Sequence, residues 1–559
     1  MTTAEKKTLV HCLLHWEKTQ PDAIYFTQPY PDGRVVDYSW AQVADQVRRM
    51  AAHIQSLKLP PRSNIALLGR NSAHWIMADL ACWMAGHVTV PLYPTLNADT
   101  ASYILKHSEA KLLLLGKMDG TADGWNEMQH GIPRELPVIS LPLSPRKDAP
   151  QWDDIVARTA PLQNPSLPEP DTLATIVYTS GSTGQPKGVM HCFRAMAQVS
   201  TGTKDLFPVS EKDRMLSYLP LAHVAERAAL ESMSLYFGFH IFFANSLDTF
   251  IEDLRRARPT LFFSVPRLWT KFYLGINEKL PPKKQKLLFG LPIIGRVIKK
   301  KILTQLGLQD VRAAITGAAP LPPVIIEWYR GLGLELLELY GMSENFGYSH
   351  ANRVGSTRVG YVGNTNPGVE CKIADNGEVL VKSPGQMLGY YKNPEKTAED
   401  LTPDGFFKTG DMGELDEQGR LKITGRVKEL FKTSKGKYVA PVPIENRFNH
   451  PKIEVVCIAG ASQPQPHALA MLSLDAQKEL ATGGDRGAFA SELELLLDKV
   501  NAQLDPHEAL DFVVVVKEQW TMENGFLTPT MKIKRNVIEK HYEPRIENWY
   551  QTRQRVIWE

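Results

Sequence analysis

The chain has 559 residues, too many for one typical core, and its 43% hydrophobic content is ample for two or more globular domains. Lys and Arg number 64 against 61 Asp and Glu, a balance that argues against a dedicated nucleic-acid binder and a wholly cationic membrane protein. The five cysteines, at 12, 82, 192, 371 and 457, never fall in CxxC spacing, so neither a disulfide framework nor a zinc site is suggested and a reducing cytosol fits best.

Near the N-terminus, Lys6 and Lys7 precede a short apolar stretch broken by His11, His15 and Glu17, with no small-residue cleavage site; neither a signal peptide nor a transmembrane span is expected. From Asn64 the order is an apolar run Ile65 to Leu68, a polar turn, an apolar stretch from His74 to Ala85, then Gly86 and Val88 to Leu92. That order reads as strand, helix, strand and predicts an α/β layer with a parallel sheet. Apolar runs recur at Leu173 to Thr179, Arg214 to Tyr218, His240 to Phe243, Leu261 to Val265 and Val311 to Thr316, so most of the chain reads as one large α/β body. A boundary is expected at Gly425 to Glu429, giving a domain of residues 1–424, a hinge at 425–429 and a smaller domain at 430–559.

The run Tyr178-Thr-Ser-Gly-Ser-Thr-Gly-Gln-Pro-Lys-Gly188 follows the Leu173 strand and reads as a phosphate cradle. Gly181, Gly184 and Gly188 let the backbone turn tightly, Thr179, Ser180, Ser182 and Thr183 offer hydroxyl and N–H donors, and Lys187 adds a positive charge. The spacing of a kinase or GTPase P-loop is absent, and a flexible surface loop is the competing reading.

Segment 281–303 interleaves basic clusters with apolar residues. Two readings stand side by side: a surface resting on an anionic membrane, and a helical hairpin with a solvated basic face, since Pro292 and two glycines break any continuous amphipathic helix.

Farther on, Leu339-Tyr-Gly-Met-Ser-Glu-Asn345 sets Tyr340, Gly341, Ser343 and Glu344 in succession, a combination suited to stacking a base, binding phosphate and holding Mg²⁺ through one carboxylate. Thr409-Gly-Asp411 offers a carboxylate for ribose hydroxyls. A cation-rich stretch follows from Gly425 to Lys437, and Leu527-Thr-Pro-Thr-Met-Lys-Ile-Lys-Arg535 lies near the C-terminus.

In this order and spacing the motifs resemble the adenylate-forming (AMP-binding) superfamily, from about Pro21 to Arg535. The Leu219-Pro-Leu-Ala-His-Val-Ala-Glu-Arg227, Val439 to Glu445 and Leu527 to Lys532 segments resemble long-chain fatty acyl-CoA synthetases. The resemblance implies a large N-terminal domain of layered sheets and helices plus a small mobile α+β C-terminal domain. It implies ATP-dependent activation of a fatty acid to acyl-AMP, then transfer to the thiol of coenzyme A, with ATP, CoA and Mg²⁺ required. Loading of a carrier-protein phosphopantetheine is the alternative. A binder that has lost catalysis and a phosphotransferase are further rivals.

Carried over residue by residue, Lys532 would be the adenylation lysine and His223 would line the acyl pocket beside the carboxylate. Thr179 to Lys187 would wrap the β- and γ-phosphates, Ser343 would contact phosphate and Glu344 would hold Mg²⁺. Gly317, Ala318, Ala319, Pro320 and Tyr340 would enclose adenine, while Asp411 would take the ribose hydroxyls and Arg426 would reach ribose or phosphate. Lys428 would be the hinge and Gly436 would contact CoA, although Lys435 stands where many relatives carry glycine. The expected partners are fatty acid, ATP and CoA, with no nucleic acid. The expected location is the cytoplasm, with the inner membrane face as an additional site, and the protein is expected to act as a monomer or homodimer.

Overall fold

The strand, helix and strand expected between residues 64 and 92 are Asn64–Leu68, Ala73–Met84 and Val88–Leu92, and the two strands pair in parallel with Ile65 opposite Thr89. Every residue of the helix is buried, which explains why it carries no polar stripe. The Ser72 side chain accepts from Trp75 N to cap its start, and Gly86, at φ 89°, turns the chain after its end. The computed structural model describes residues 8–118, 124–165, 167–179, 185–522, 524–528 and 532–559. These divide between two compact units.

The first unit comprises Met1–Ala319, Pro323–Cys371 and Val381–Phe407. Its seven-stranded sheet runs Gly389–Tyr390, Lys187–Cys192, Leu173–Thr179, Val88–Leu92, Asn64–Leu68, Leu112–Leu115 and Val138–Ser140. Pairing is parallel from Leu173–Thr179 through to Val138–Ser140 and antiparallel at the two junctions that bring in Lys187–Cys192 and Gly389–Tyr390. The strands near 214 and 240 do not extend this sheet. Arg214–Ser217 and His240–Phe243 join Ile24–Pro29 and Val35–Ser39 in a second sheet, and Leu261–Ser264, Ala313–Thr316 and Leu336–Tyr340 belong to a third. An apolar run is equally at home in any of the three, so only the pairing partner distinguishes them.

Segment 281–303 falls within two helices, Pro282–Phe289 and Pro292–Gln305, separated at Gly290 and Leu291. Among the described residues no helix is long and apolar enough to cross a membrane.

The second unit comprises Pro320–Pro322, Lys372–Leu380 and Lys408–Glu559. Its four-stranded sheet runs Ile453–Ala459, His467–Leu472, Val513–Val516 and Val556–Trp558, the first pair antiparallel and the rest parallel. Strand alternation sends Val456, Ile458 and Ala470 toward Phe489, Leu493 and Leu497 of the Arg486–Asn501 helix. The intervening Cys457, Leu469 and Met471 face Ile538, Tyr542 and Trp549 of the Arg535–Thr552 helix. Helices thus cover both faces, as the small α+β domain requires.

Candidate active site

The Leu173–Thr179 and Lys187–Cys192 strands are antiparallel neighbours with Thr179 opposite Lys187. The glycine-rich loop therefore joins two adjacent strands of one sheet. Ser180, Gly181, Ser182, Thr183 and Gly184 lie outside the described residues. Gly188 has a packing role: a Cβ there would stand 2.8 Å from Ile176 Cγ2 and 3.2 Å from the Tyr178 ring. Its place is inside a strand, not in the turn that its motif suggests.

The Lys187 ammonium sits over the Tyr390 ring, 4.3 Å from the centroid. The Tyr390 hydroxyl has two acceptors, Glu344 Oε1 at 2.9 Å and Asp400 Oδ2 at 3.1 Å. Burial, reinforced by both carboxylates, raises the Tyr390 pKa well above that of ordinary tyrosine, so the phenol stays a proton donor. Lys187, expected at the phosphates, and Glu344, expected at Mg²⁺, are thus brought together by an aromatic side chain that no motif marks. Tyr390 is held by its own short strand, pairing with Val189 beside Lys187.

Glu344 belongs to the single turn Ser343–Asn345 that follows the Leu336–Tyr340 strand. Met387 N donates to the Glu344 carbonyl at 2.7 Å and His191 Nε2 donates to the Ser343 carbonyl at 2.7 Å. Burial drives the His191 pKa down to about 4, so the imidazole is neutral near pH 7 and its proton sits on Nε2 in this bond. Gly341 is required by the same turn, since a Cβ there would lie 2.4 Å from the Gly347 backbone. Tyr340 ends the strand opposite His350, with ring centroids 5.9 Å apart. Gly317 follows the Ala313–Thr316 strand and lets it approach Leu339, whose carbonyl would be 3.2 Å from a Cβ. Ala318, exposed, holds a left-handed φ of 68°, a strained conformation for a residue with a side chain. Ala319 closes this stretch of the first unit, and Pro320 is counted with the second.

His223 stands in another loop of the first unit. Its Nδ1 accepts from Ala225 N at 3.1 Å, which caps a short helical turn. The loop is clamped from behind by two buried groups. Asn71 Nδ2 donates to the Leu219 carbonyl at 2.6 Å and its Oδ1 accepts from Leu221 N at 3.1 Å. Glu226 Oε1 accepts from Ser217 Oγ at 3.1 Å and Tyr218 N at 3.2 Å, and burial pushes its carboxyl up to about 8. One residue on, Arg227 is fully buried against Asp79 and Glu231, between the rings of Trp75 and Trp83. Asn71 and Asp79 are each more than 100 positions from the groups they hold, and Tyr390 is dozens of positions or more from both Glu344 and Lys187, so no local pattern marks them.

In the second unit Asp411 lies on the Phe407–Leu415 strand directly opposite Arg426, and Arg426 Nε donates to Asp411 Oδ1 at 2.8 Å. Asp411 is buried and its partner is half exposed. Lys532 shares their field. Its N–H donates to Thr528 Oγ1 at 3.1 Å and its carbonyl accepts from Thr528 N at 2.8 Å. Water reaches Lys532 although protein surrounds it densely. That desolvation and the positive charge of Arg426 lower its pKa, while Asp411 and Glu429 raise it. Three positions on, buried Arg535 pairs with Glu445 at 2.7 Å and donates to the Ile458 carbonyl at 2.7 Å. Lys428 is exposed in the turn after Arg426, and Gly436, at φ 78°, turns the exposed loop between Phe431–Lys432 and Tyr438–Val439.

A protein-family model described as AMP-binding enzyme matches residues 13–391, and a second, described as AMP-binding enzyme C-terminal domain, matches 429–554. Long chain acyl-CoA synthetase 6, peroxisomal, of Arabidopsis thaliana is 32% identical over 93% of this chain and 82% of its own. Long-chain-fatty-acid--CoA ligase FadD15 of Mycobacterium bovis is 29% identical over 98% of both. Among solved structures, the anthranilate CoA ligase AuaEII in complex with anthranoyl-AMP superposes with a TM-score of 0.79 at 18% identity, covering 98% of this chain and all of that one. The A domain of the carboxylic acid reductase of Segniliparus rugosus, in complex with AMP and a co-purified carboxylic acid, gives 0.80 at 22% identity over 98% and 94%. At these identities the likeness shows a shared fold.

Proposed function

The chain belongs to the AMP-binding enzyme family, and we propose that it is an AMP-forming acid–thiol ligase that converts a long-chain fatty acid, ATP and CoA into acyl-CoA, AMP and pyrophosphate. Full-length similarity to long-chain acyl-CoA ligases carries the substrate class. A carboxylate resists attack because its own charge repels nucleophiles. In the first half-reaction a carboxylate oxygen attacks the α-phosphorus of ATP and the bond to pyrophosphate breaks. In the second, the CoA sulfur attacks the acyl carbon, the C–O bond to AMP breaks and the thiol proton is released.

Each group of residues has one task in this reading. Lys532 neutralises charge developing on the α-phosphoryl oxygens, where a single preorganised donor is worth about 3–4 kcal/mol. Its electrostatic coupling to Arg426 and Asp411, themselves paired at 2.8 Å, supports this, since a ribose hydroxyl pair and the neighbouring phosphate call for that combination. Asp411 accepts from the ribose hydroxyls and Arg426 binds ribose or phosphate. Tyr340 and the Gly317 to Pro320 stretch flank adenine. Thr179 to Lys187 wrap the terminal phosphates and Ser343 contacts them, with the bond from His191 holding the Ser343 backbone in place.

Glu344 is the residue that would hold Mg²⁺. One of its oxygens is oriented by Tyr390, and a lone carboxylate suits an ion whose remaining ligands are phosphate oxygens and water. When bound, the ion screens the charge of the departing pyrophosphate. His223 borders the acyl carboxylate. After adenylation, rotation about Lys428 withdraws Lys532 and presents the Ser434 to Tyr438 loop, with Gly436, to CoA. We place the enzyme in the cytoplasm, with the inner membrane face as an additional site.

Pyrophosphate release measured across saturated acids of increasing length, with and without CoA, tests this reading, with acyl-CoA identified by mass spectrometry. CoA-dependent turnover that peaks with long acids is expected. Pyrophosphate release without any acyl-CoA would redirect the acyl group to a carrier-protein thiol, and silence with every acid would end the ligase reading.

A further inference from the structure

Large aliphatic side chains exposed to water cluster at one point of the first unit. Of the seventeen exposed large hydrophobics among the described residues, five lie between Leu287 and Val297: Leu287 at 71%, Leu291 at 39%, Ile293 at 79%, Ile294 at 52% and Val297 at 61%. Scattered exposed aliphatics need no explanation, but a contiguous set does. They form the tip of the hairpin made by Pro282–Phe289 and Pro292–Gln305.

The stem below the tip is firmly seated. Gln285, 4% exposed, donates to Asn277 Oδ1 and to the Leu280 carbonyl, both at 2.6 Å, and accepts from Trp328 Nε1 at 2.7 Å. Gly295 closes the hairpin, since a Cβ there would be 2.7 Å from the Phe289 carbonyl oxygen. The tip is thus a presented surface.

Residues 281–303 carry six lysines and one arginine and no acidic residue. Lys283, Lys284, Lys286, Arg296, Lys300 and Lys301 are exposed around the aliphatic tip. Helical spacing sets Ile293, Val297, Lys300 and Lys301 along one side of their helix. We infer that the 282–305 hairpin is a docking element for an anionic lipid bilayer: its aliphatic tip enters the acyl boundary while the flanking cations meet lipid phosphates. Aliphatics ringed by lysine suit lipid better than protein, because protein interfaces are enriched in aromatics and depleted in lysine. A second copy of the same face would repel this one through like charge. That docking serves uptake of long acids rests on the ligase reading above; the docking itself does not.

The test is flotation of the full chain with vesicles of phosphatidylcholine alone and of equal parts phosphatidylcholine and phosphatidylglycerol, at low and high salt. The intact protein is expected to float with the anionic vesicles and to release at high salt. Lys286→Gln with Lys300→Gln and Lys301→Gln should weaken partitioning about a hundredfold, at roughly fivefold per lysine. Ile293→Ser with Ile294→Ser and Val297→Ser should abolish the binding that survives moderate salt. Neither set touches Gln285 or Gly295, so the melting temperature and pyrophosphate release with a short soluble acid should match the parent. Partitioning unchanged in both variants, or no flotation of the parent, would overturn the proposal. So would a shift in sedimentation velocity of the serine variant with flotation intact, which would make the tip a contact between copies. These readouts report binding whatever acid the enzyme activates.

Discussion

Lys532 is one of three cations within four positions, and their surroundings separate them. Arg535 is buried in ion pairs with Glu445, whereas Lys532 remains within reach of water beside Arg426 and Asp411. Lys532→Ala should lower acyl-AMP formation by about two to three orders of magnitude, the cost of about 3–4 kcal/mol of transition-state stabilisation. Thiol attack on supplied acyl-AMP should be nearly unchanged, and an equal loss in both half-reactions would remove Lys532 from the assigned role. The lowered pKa sets a pH signature. The ammonium is lost at a lower pH than an ordinary lysine, so the adenylation rate should fall on the alkaline side earlier than an unperturbed lysine allows. Lys532→Arg should move that fall to higher pH if it retains measurable activity.

The loop from Leu219 to Glu226 shows how an element is held for one residue's sake. Glu226 binds the Ser217 hydroxyl and Tyr218 N–H as a buried acid pushed up to about 8 from 4.5. Its folded pKa is raised, so its contribution to stability is complete below the unfolded pKa and is lost as pH rises through about 8, because the folded state holds a proton that the unfolded chain releases. Glu226→Gln keeps the acceptor oxygen and removes the titration. The melting temperature of the variant relative to the parent should therefore climb between about pH 5 and pH 8. Parallel pH profiles would show that Glu226 does not titrate in this window. The same strand-level constraint governs Gly188, whose missing side chain leaves room for Ile176 and Tyr178.

At the scale of the whole molecule the proposed mechanism brings different groups to the same acyl substrate in the two half-reactions, and it assigns that exchange to the turn after Arg426. Its bonds to the Arg426 carbonyl come from Glu429 N and Leu430 N, at 3.1 and 3.2 Å, so proline at 428 removes neither. Lys428→Pro should stiffen the turn, leaving acyl-AMP formation near the parent rate while thioester formation slows by about tenfold or more. Rapid-quench measurement of the two steps separates them, and equal rates in both would mean that position 428 is no hinge.

The order and spacing of the local motifs were enough to indicate the chemistry: a hydroxyl-rich loop with Lys187, the Tyr340 to Glu344 turn, Asp411, Arg426 and a late lysine. The first two lie within a few positions, so the linear chain displays them, whereas the roles of Arg426 and Lys532 came only from the resemblance of the whole ordered set to the superfamily. The strand, helix and strand at 64–92 were legible for the same reason, because apolar runs and capping residues are local. Only the tertiary structure decided that Tyr390 joins Lys187 to Glu344, that Asn71 clamps the His223 loop, and that the strands near 214 and 261 leave the first sheet. Each of these rests on pairing or burial between segments far apart in the chain. Burial also sets whether Glu226 keeps its proton, and exposure sets whether Ile293 faces water; neither property belongs to a residue until the rest of the chain has packed around it.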